Sequence, residues 1–345
     1  MRRPKSPVPE STPSRVDAIV PSSALVGARV TVHGRGLAPA AGGLPGARVG
    51  GVPAQVVMSS PSRVALVVPE AATRGCQAVT VEGAEGGADL EVGTPVVSGV
   101  HQVDNPAFGP DGTLYATFSG TRGQRVPVSV FRVTGEADKA PFLIDVTNAT
   151  SMACDLEGVL HVTSRYDGTV RKVRPDGTSE IVAHDLGVAC GIAFGSDGTM
   201  FVGDRGGTVF RVGSSAHVVP FVSLPPSLAA FHLAMGPDDA LYVTGPTMAT
   251  YDHVYRVDRQ GAVSVVSSEF GRPQGLAVGD DGALYVVDAL AGGAGLYRVR
   301  TGAPRELVVS AATLVGVAID PRGGLVVASN DTIYRLDKGL KPWRA

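Results

Sequence analysis

Apolar positions in this chain come in short runs of four to six residues, rich in Val, Ile, Leu and Tyr, each closed by Gly, Pro, Asn or Asp. Runs of that length with turn residues at both ends predict β-strands joined by tight turns. Over residues 15–93 the runs are VDAIV, ARVTVHG, ARVGGVPAQVVM, SRVALVVP, CQAVTVEG and ADLEV. Their spacing predicts a small sandwich of about seven strands. After residue 100 the runs become periodic. GLAV, the turn GDDG, ALYVVD, GLYRV and then RELVVS form one unit of four strands within residues 275–310.

That unit recurs. Aligned on the turn, Gly112, Gly158, Gly198, Asp239, Gly282 and Gly323 share one position, with spacings of 46, 40, 41, 43 and 41 residues. A period of about 42 residues with four short strands predicts β-propeller blades, six in all. Ala107, Ala153, Ala193, Ala234, Ala277 and Ala318 occupy the third position of each first strand. A small residue is expected there, because innermost strands crowd their neighbours. The sixth unit has three strands before the chain runs out, and PVVSGVHQV (95–103) is a strand without a unit. The expectation is that 95–103 supplies the missing strand and closes the ring, removing an exposed edge.

Composition narrows the classes of function. The 345 residues include 30 basic and 32 acidic side chains, a net charge of −2. Arg29, Arg35, Arg48, Arg63 and Arg74 are scattered without interleaved aromatics, so nucleic acid is not an expected partner. No apolar run reaches membrane-spanning length, so no membrane partner is expected. Cys76, Cys154 and Cys190 are too few and too widely spaced for a disulfide framework or a zinc motif. The stretch MRRPKSPVPESTPS is basic and Pro/Ser-rich without the apolar core of a signal peptide. It reads as a disordered leader (1–14), with cytoplasm the default location, and 341–345 reads as a tail.

Two resemblances sharpen the picture. The order Val20-Pro21, VTVHGRGL, VGGVPAQVV, SRVALVVP, VTVEG resembles the IPT/TIG domain, an immunoglobulin-like sandwich, over 15–93. RPQGLAVGDDGALYVVD and ACGIAFGSDGTMFVGD resemble the NHL-repeat and gluconolactonase/regucalcin (SMP-30-like) group of six-bladed propellers, over 95–340. The fold class expected is therefore all-β: an immunoglobulin-like sandwich followed by a six-bladed β-propeller.

The second resemblance implies where chemistry sits. Residues just before the innermost strands converge on the central opening, and loops between second and third strands surround it. The gluconolactonase group binds one divalent cation there through Glu, Asn and Asp. Those positions fall on Asp104, Cys190 and Gln274, so one carboxylate of two remains and the amide has become a thiol. Two readings stand. In the first, the propeller is a non-catalytic or weakly catalytic binding protein that takes a small molecule or a protein at its top face, with the TIG sandwich as spacer or docking unit. In the second, it is a metal-dependent lactone or ester hydrolase. Asp104 and Asn105 would then hold a divalent cation such as calcium, and His232 would serve as ligand or base.

His232 stands where three other units carry Gly, and its side chain either enters a site or bonds a neighbouring backbone. Arg165, Tyr166, Asp204, Tyr251, His253, Gln274 and Asp288 are the candidate ligand-binding residues around the mouth, with Arg205 beside them. Asp204 and Asp288 equally fit turn residues that bond backbone amides. Tyr251 and His253 equally fit an exposed loop tip.

Overall fold

The alternation that marks residues 29–35 as a strand also shows which face they bury. Val30 and Val32 point into a core while Arg29 and Arg35 face solvent. The computed structural model describes residues 13–39, 42–135, 138–213 and 217–337. Residues 1–12 of the expected leader and the expected tail 341–345 lie outside them. The chain divides into two compact units, Met1–Val92 and Gly93–Ala345.

In the first unit, Arg15–Val20 pairs with Arg29–Arg35, which pairs with Arg63–Val67. Val52–Ser60 pairs with both Arg63–Val67 and Ala47–Val49, and the ladder continues through Gly75–Val81 to Ala88–Val92. Ser23–Ala24 runs parallel to that last strand. One hydrophobic cluster, including Val30, Val32, Leu66, Val79 and Leu90, draws on strands along the whole ladder.

The second unit is a β-propeller built from six four-stranded sheets. The innermost strands in order are Ala107–Phe108, Ala149–Cys154, Ala189–Phe194, His232–Met235, Pro273–Val278 and Leu314–Ile319. Each packs against the next, and the first packs against the sixth, so the sheets form a ring. Blades one to five each use four consecutive strands. Blade six takes its outer strand from Thr94–Ser98, which pairs antiparallel with Thr332–Leu336. The strand is shorter than the run 95–103. Beyond it, Val100 and Gln102 donate backbone N–H groups to Asp331 (3.2 Å) and Asn330 (2.8 Å).

The recurring turn needs a left-handed backbone. Gly112, Gly158, Gly198, Gly282 and Gly323 have φ between 74° and 101°, and Asp239 takes 52° at the equivalent place. Asp is one of the few side chains that tolerates such a φ, which explains how it replaces Gly there. The alanines of the innermost strands sit between blades: Ala107 packs in one cluster with Met152, and Ala193 in one with Leu233.

Candidate functional site

The innermost strands run from the upper face to the lower, and two cavities lie along the axis. Residues 102–103, Cys190, Ala230, Gln274 and Val315 line the upper one, of about 270 Å³. Residues 105–110, 192–194, 233–235 and 276–278 line the lower one, of about 570 Å³. Asp104 and His232 belong to the level between. They come from blades one and four, which face each other across a ring of six.

The two side chains meet there. His232 Nδ1 contacts Asp104 Oδ1, the carboxylate also accepts the Asn105 N–H at 2.7 Å, and the residues are 0% and 1% exposed. Asp104 Oδ2 and His232 Nε2 are buried with no hydrogen-bond partner. A carboxylate on Nδ1 fixes the imidazole and leaves Nε2 as its working atom, the arrangement of a general base. Neither residue lines either cavity.

Asn105 is committed elsewhere. Its Nδ2 donates to the Leu276 carbonyl and its Oδ1 accepts the Val317 N–H, both at 2.9 Å, so it ties blade one to blades five and six. Glycine makes that approach possible. A Cβ at Gly275 would stand 2.1 Å from Asn105 Oδ1 and 2.7 Å from Gly316 Cα. Gly275→Ala is therefore expected to cost about 1–3 kcal/mol, read as a drop of several degrees in melting temperature. An unchanged melt would show that the waist is not close-packed.

The donor set expected for a divalent cation does not fit one. Asp104 is paired with a histidine, and both ends of the Asn105 amide are used on backbone groups. Burial, reinforced by the Asp104 charge, pushes the Cys190 thiol up to about 12, and its Sγ donates to the Val188 carbonyl. A thiol held there is neither a nucleophile nor a metal ligand near neutral pH. Among the described residues no group of three His, Cys, Asp or Glu side chains could hold a metal ion.

The upper cavity is the one lined by arginines. Arg165, Arg205 and Asn330 each follow the second strand of their blade and line it together with Gln102, Thr150 and Gln274. Arg165 donates through Nη2 to the Gly120 carbonyl at 3.1 Å, while its Nε is buried without an acceptor. Burial holds this guanidinium below its ordinary value, and neighbouring Arg205 and Arg122 push the same way. None of the ion pairs among the described residues involves Arg165 or Arg205. The lower cavity is larger but walled mainly by apolar side chains. Of its two acidic residues, Asp155 is already bound to Lys172 and to backbone N–H groups, and Glu157 is exposed to solvent.

Of the candidates read from sequence, the structure brings Asp104, Asn105 and His232 to the waist and places Arg165 and Gln274 in the mouth. Tyr166, Asp204, Tyr251, His253 and Asp288 do not line it. Asp288 accepts N–H groups from Gly271, Arg272 and Leu290 and pairs with Arg305 at 2.9 Å, which fixes a turn. Asp204 accepts the Val188 N–H at 2.8 Å. His253 stacks edge-on against Tyr255. Tyr166 and Tyr251 project from upper-face loops, 58% and 60% exposed. The sequence reading does not single out Gln102 or Asn330. Asn330 had a usable signal, its place after the second strand beside Arg165 and Arg205 in register.

No protein-family model matches the sequence, and no curated protein matches it either. Solved structures do. An auxiliary nutrient binding protein from Bacteroides ovatus aligns over 95% of this chain and 99% of its own, with 15% identity and a TM-score of 0.54. A protein assigned as a gluconolactonase aligns over 73% of this chain and 94% of its own, at 14% identity and a TM-score of 0.60. Virginiamycin B lyase from Staphylococcus aureus covers 82% of this chain and 94% of its own, at 14% identity and a TM-score of 0.51. The chain is an all-β protein with a β-propeller that resembles these. At such identities the likeness is one of fold.

Proposed function

We propose that this chain is a binding protein whose propeller takes a small molecule in its upper mouth, and that it is not a catalyst of note. Residues 15–93 are, on this reading, an immunoglobulin-like domain of the IPT/TIG type that serves as spacer or docking unit. The carrying observation is the division of polar groups along the axis. Arg165 and Gln102, each with an unpartnered donor, line the upper cavity, while the Asp104–His232 acid–base pair lines neither cavity. Binding needs only the first; turnover needs the second to reach substrate. The nutrient binding protein from Bacteroides ovatus, similar in fold over nearly its whole length, supports a binding role. Exposed Tyr166, Met248, Tyr251 and Leu290 on the upper-face loops add an apolar rim against which a bound molecule or a protein could rest.

Thermal shift against a panel of sugars, lactones, amino acids and organic acids tests this. A true ligand raises the melting temperature with concentration, by about 2.7 kcal/mol of stability at a hundredfold excess over its Kd. Val315→Trp, which puts an indole into the upper cavity, is expected to abolish the shift while folding normally. A ligand that stabilises both proteins equally would contradict the assignment. The hydrolase reading keeps one support, the free Nε2 of His232 on its carboxylate. Lactone hydrolysis lost in His232→Gln, with ligand binding intact, would favour it instead.

A further inference from the structure

We infer that the mouth selects an anion: a small molecule with a carboxylate or phosphate head, gripped by Arg165 and Arg205 with Gln102 Nε2 and Gln274 as neutral donors. The inference rests on the mouth being the binding site and adds the class of ligand.

The charge pattern of the lining carries it. Arg165 and Arg205 occupy the same position in adjacent blades, so their guanidinium groups enter one cavity. Among the described residues that lining contains no Asp or Glu, and Asp104 beneath it is already bound to His232. Buried guanidinium nitrogens are ordinarily satisfied, yet Arg165 Nε has no acceptor. The Gln102 amide is oriented in the same sense. Its Oε1 accepts the Thr117 hydroxyl at 2.8 Å, which leaves the donor end, Nε2, buried and unpartnered. Asn330 in turn spends its Nδ2 on the Gln102 carbonyl at 2.9 Å, holding that residue in place.

What the cavity lacks is therefore an acceptor with several lone pairs. A carboxylate or phosphate oxygen supplies it, and the planar fork of arginine matches both geometries. A cavity of about 270 Å³ suits a compact ligand with a single head group. Two unpaired cations in a low-dielectric cleft also raise the local concentration of anions.

Calorimetric titration of the full chain with succinate, inorganic phosphate and the neutral diamide succinamide decides the matter. Succinate or phosphate is expected to bind, the tighter of the two naming the head group, and succinamide to bind at least about tenfold more weakly. Arg165→Ala and Arg205→Ala should each weaken the anion by about tenfold or more. Arg165→Lys should recover part of the loss, which a folding defect would not allow, and added salt should weaken wild-type binding. Arg174→Ala, at an exposed ion pair with Glu180, should change nothing. Equal binding of succinamide and succinate would overturn the inference, as would anion binding that survives in the double variant. If neutral compounds alone bind and Val315→Trp removes them, the anion inference falls and the mouth reading stands. If no compound of either charge binds, both fall.

Discussion

Asp104→Ala should lower the stability of the propeller by about 3–5 kcal/mol, because it leaves a buried imidazole without its partner. For a unit of this size that is a fall in melting temperature on the order of 10 °C. The partner substitution His232→Ala should cost a similar amount, since it strands a carboxylate that is 1% exposed. Removing both should cost clearly less than the sum, with a coupling of about 1–3 kcal/mol. The double variant removes the unpaired charge and leaves only the lost packing, because neither polar group is then stranded. Additive losses from the two single variants would show that the pair does not act as a unit.

Loss of the closing strand should be more severe. A chain that begins at Asp104 lacks Val96, Val97 and Val100, all buried in one cluster with Val326, Ala328 and Ile333. Three buried valines contribute roughly 4.5–9 kcal/mol at about 1.5–3 kcal/mol each, comparable with the whole stability of a typical domain. The truncation also leaves Thr332–Leu336 as an open edge, inviting association. A chain that begins at Gly93 keeps the strand and should melt cooperatively as a soluble species. Equal solubility and equal melting of the two would contradict closure by Thr94–Ser98.

Periodicity explains which features were legible in the sequence. Six aligned turn positions depend on local backbone demands, and all six have positive φ, including Asp239 where glycine is missing. Residues ahead of the innermost strands were expected at the axis because strand direction alone dictates it. What alternation does not encode is depth. Asp104 and His232 lie 128 residues apart, and whether they line a cavity or seal it depends on side-chain packing across the ring. Asn105 looked like a metal ligand, but its two backbone bonds run to residues 171 and 212 positions away, beyond any local pattern. The sequence fits Asp204 and Asp288 to either a ligand or a turn role, and the backbone N–H groups whose hydrogen bonds they accept favour the turn role. Gln102 carries no repeat signal because it belongs to the connection between the closing strand and blade one, which has no counterpart in the other units.

A crystal of the full chain soaked with the tightest binder from the thermal-shift panel tests the central claim most directly. The expected density lies in the upper cavity, touching Arg165, Arg205 and Gln102, with the Asp104–His232 pair intact below it. Density in the lower cavity, among Phe108, Met152 and Phe194, or a ligand bonded to His232 Nε2 through an opened waist, would contradict it.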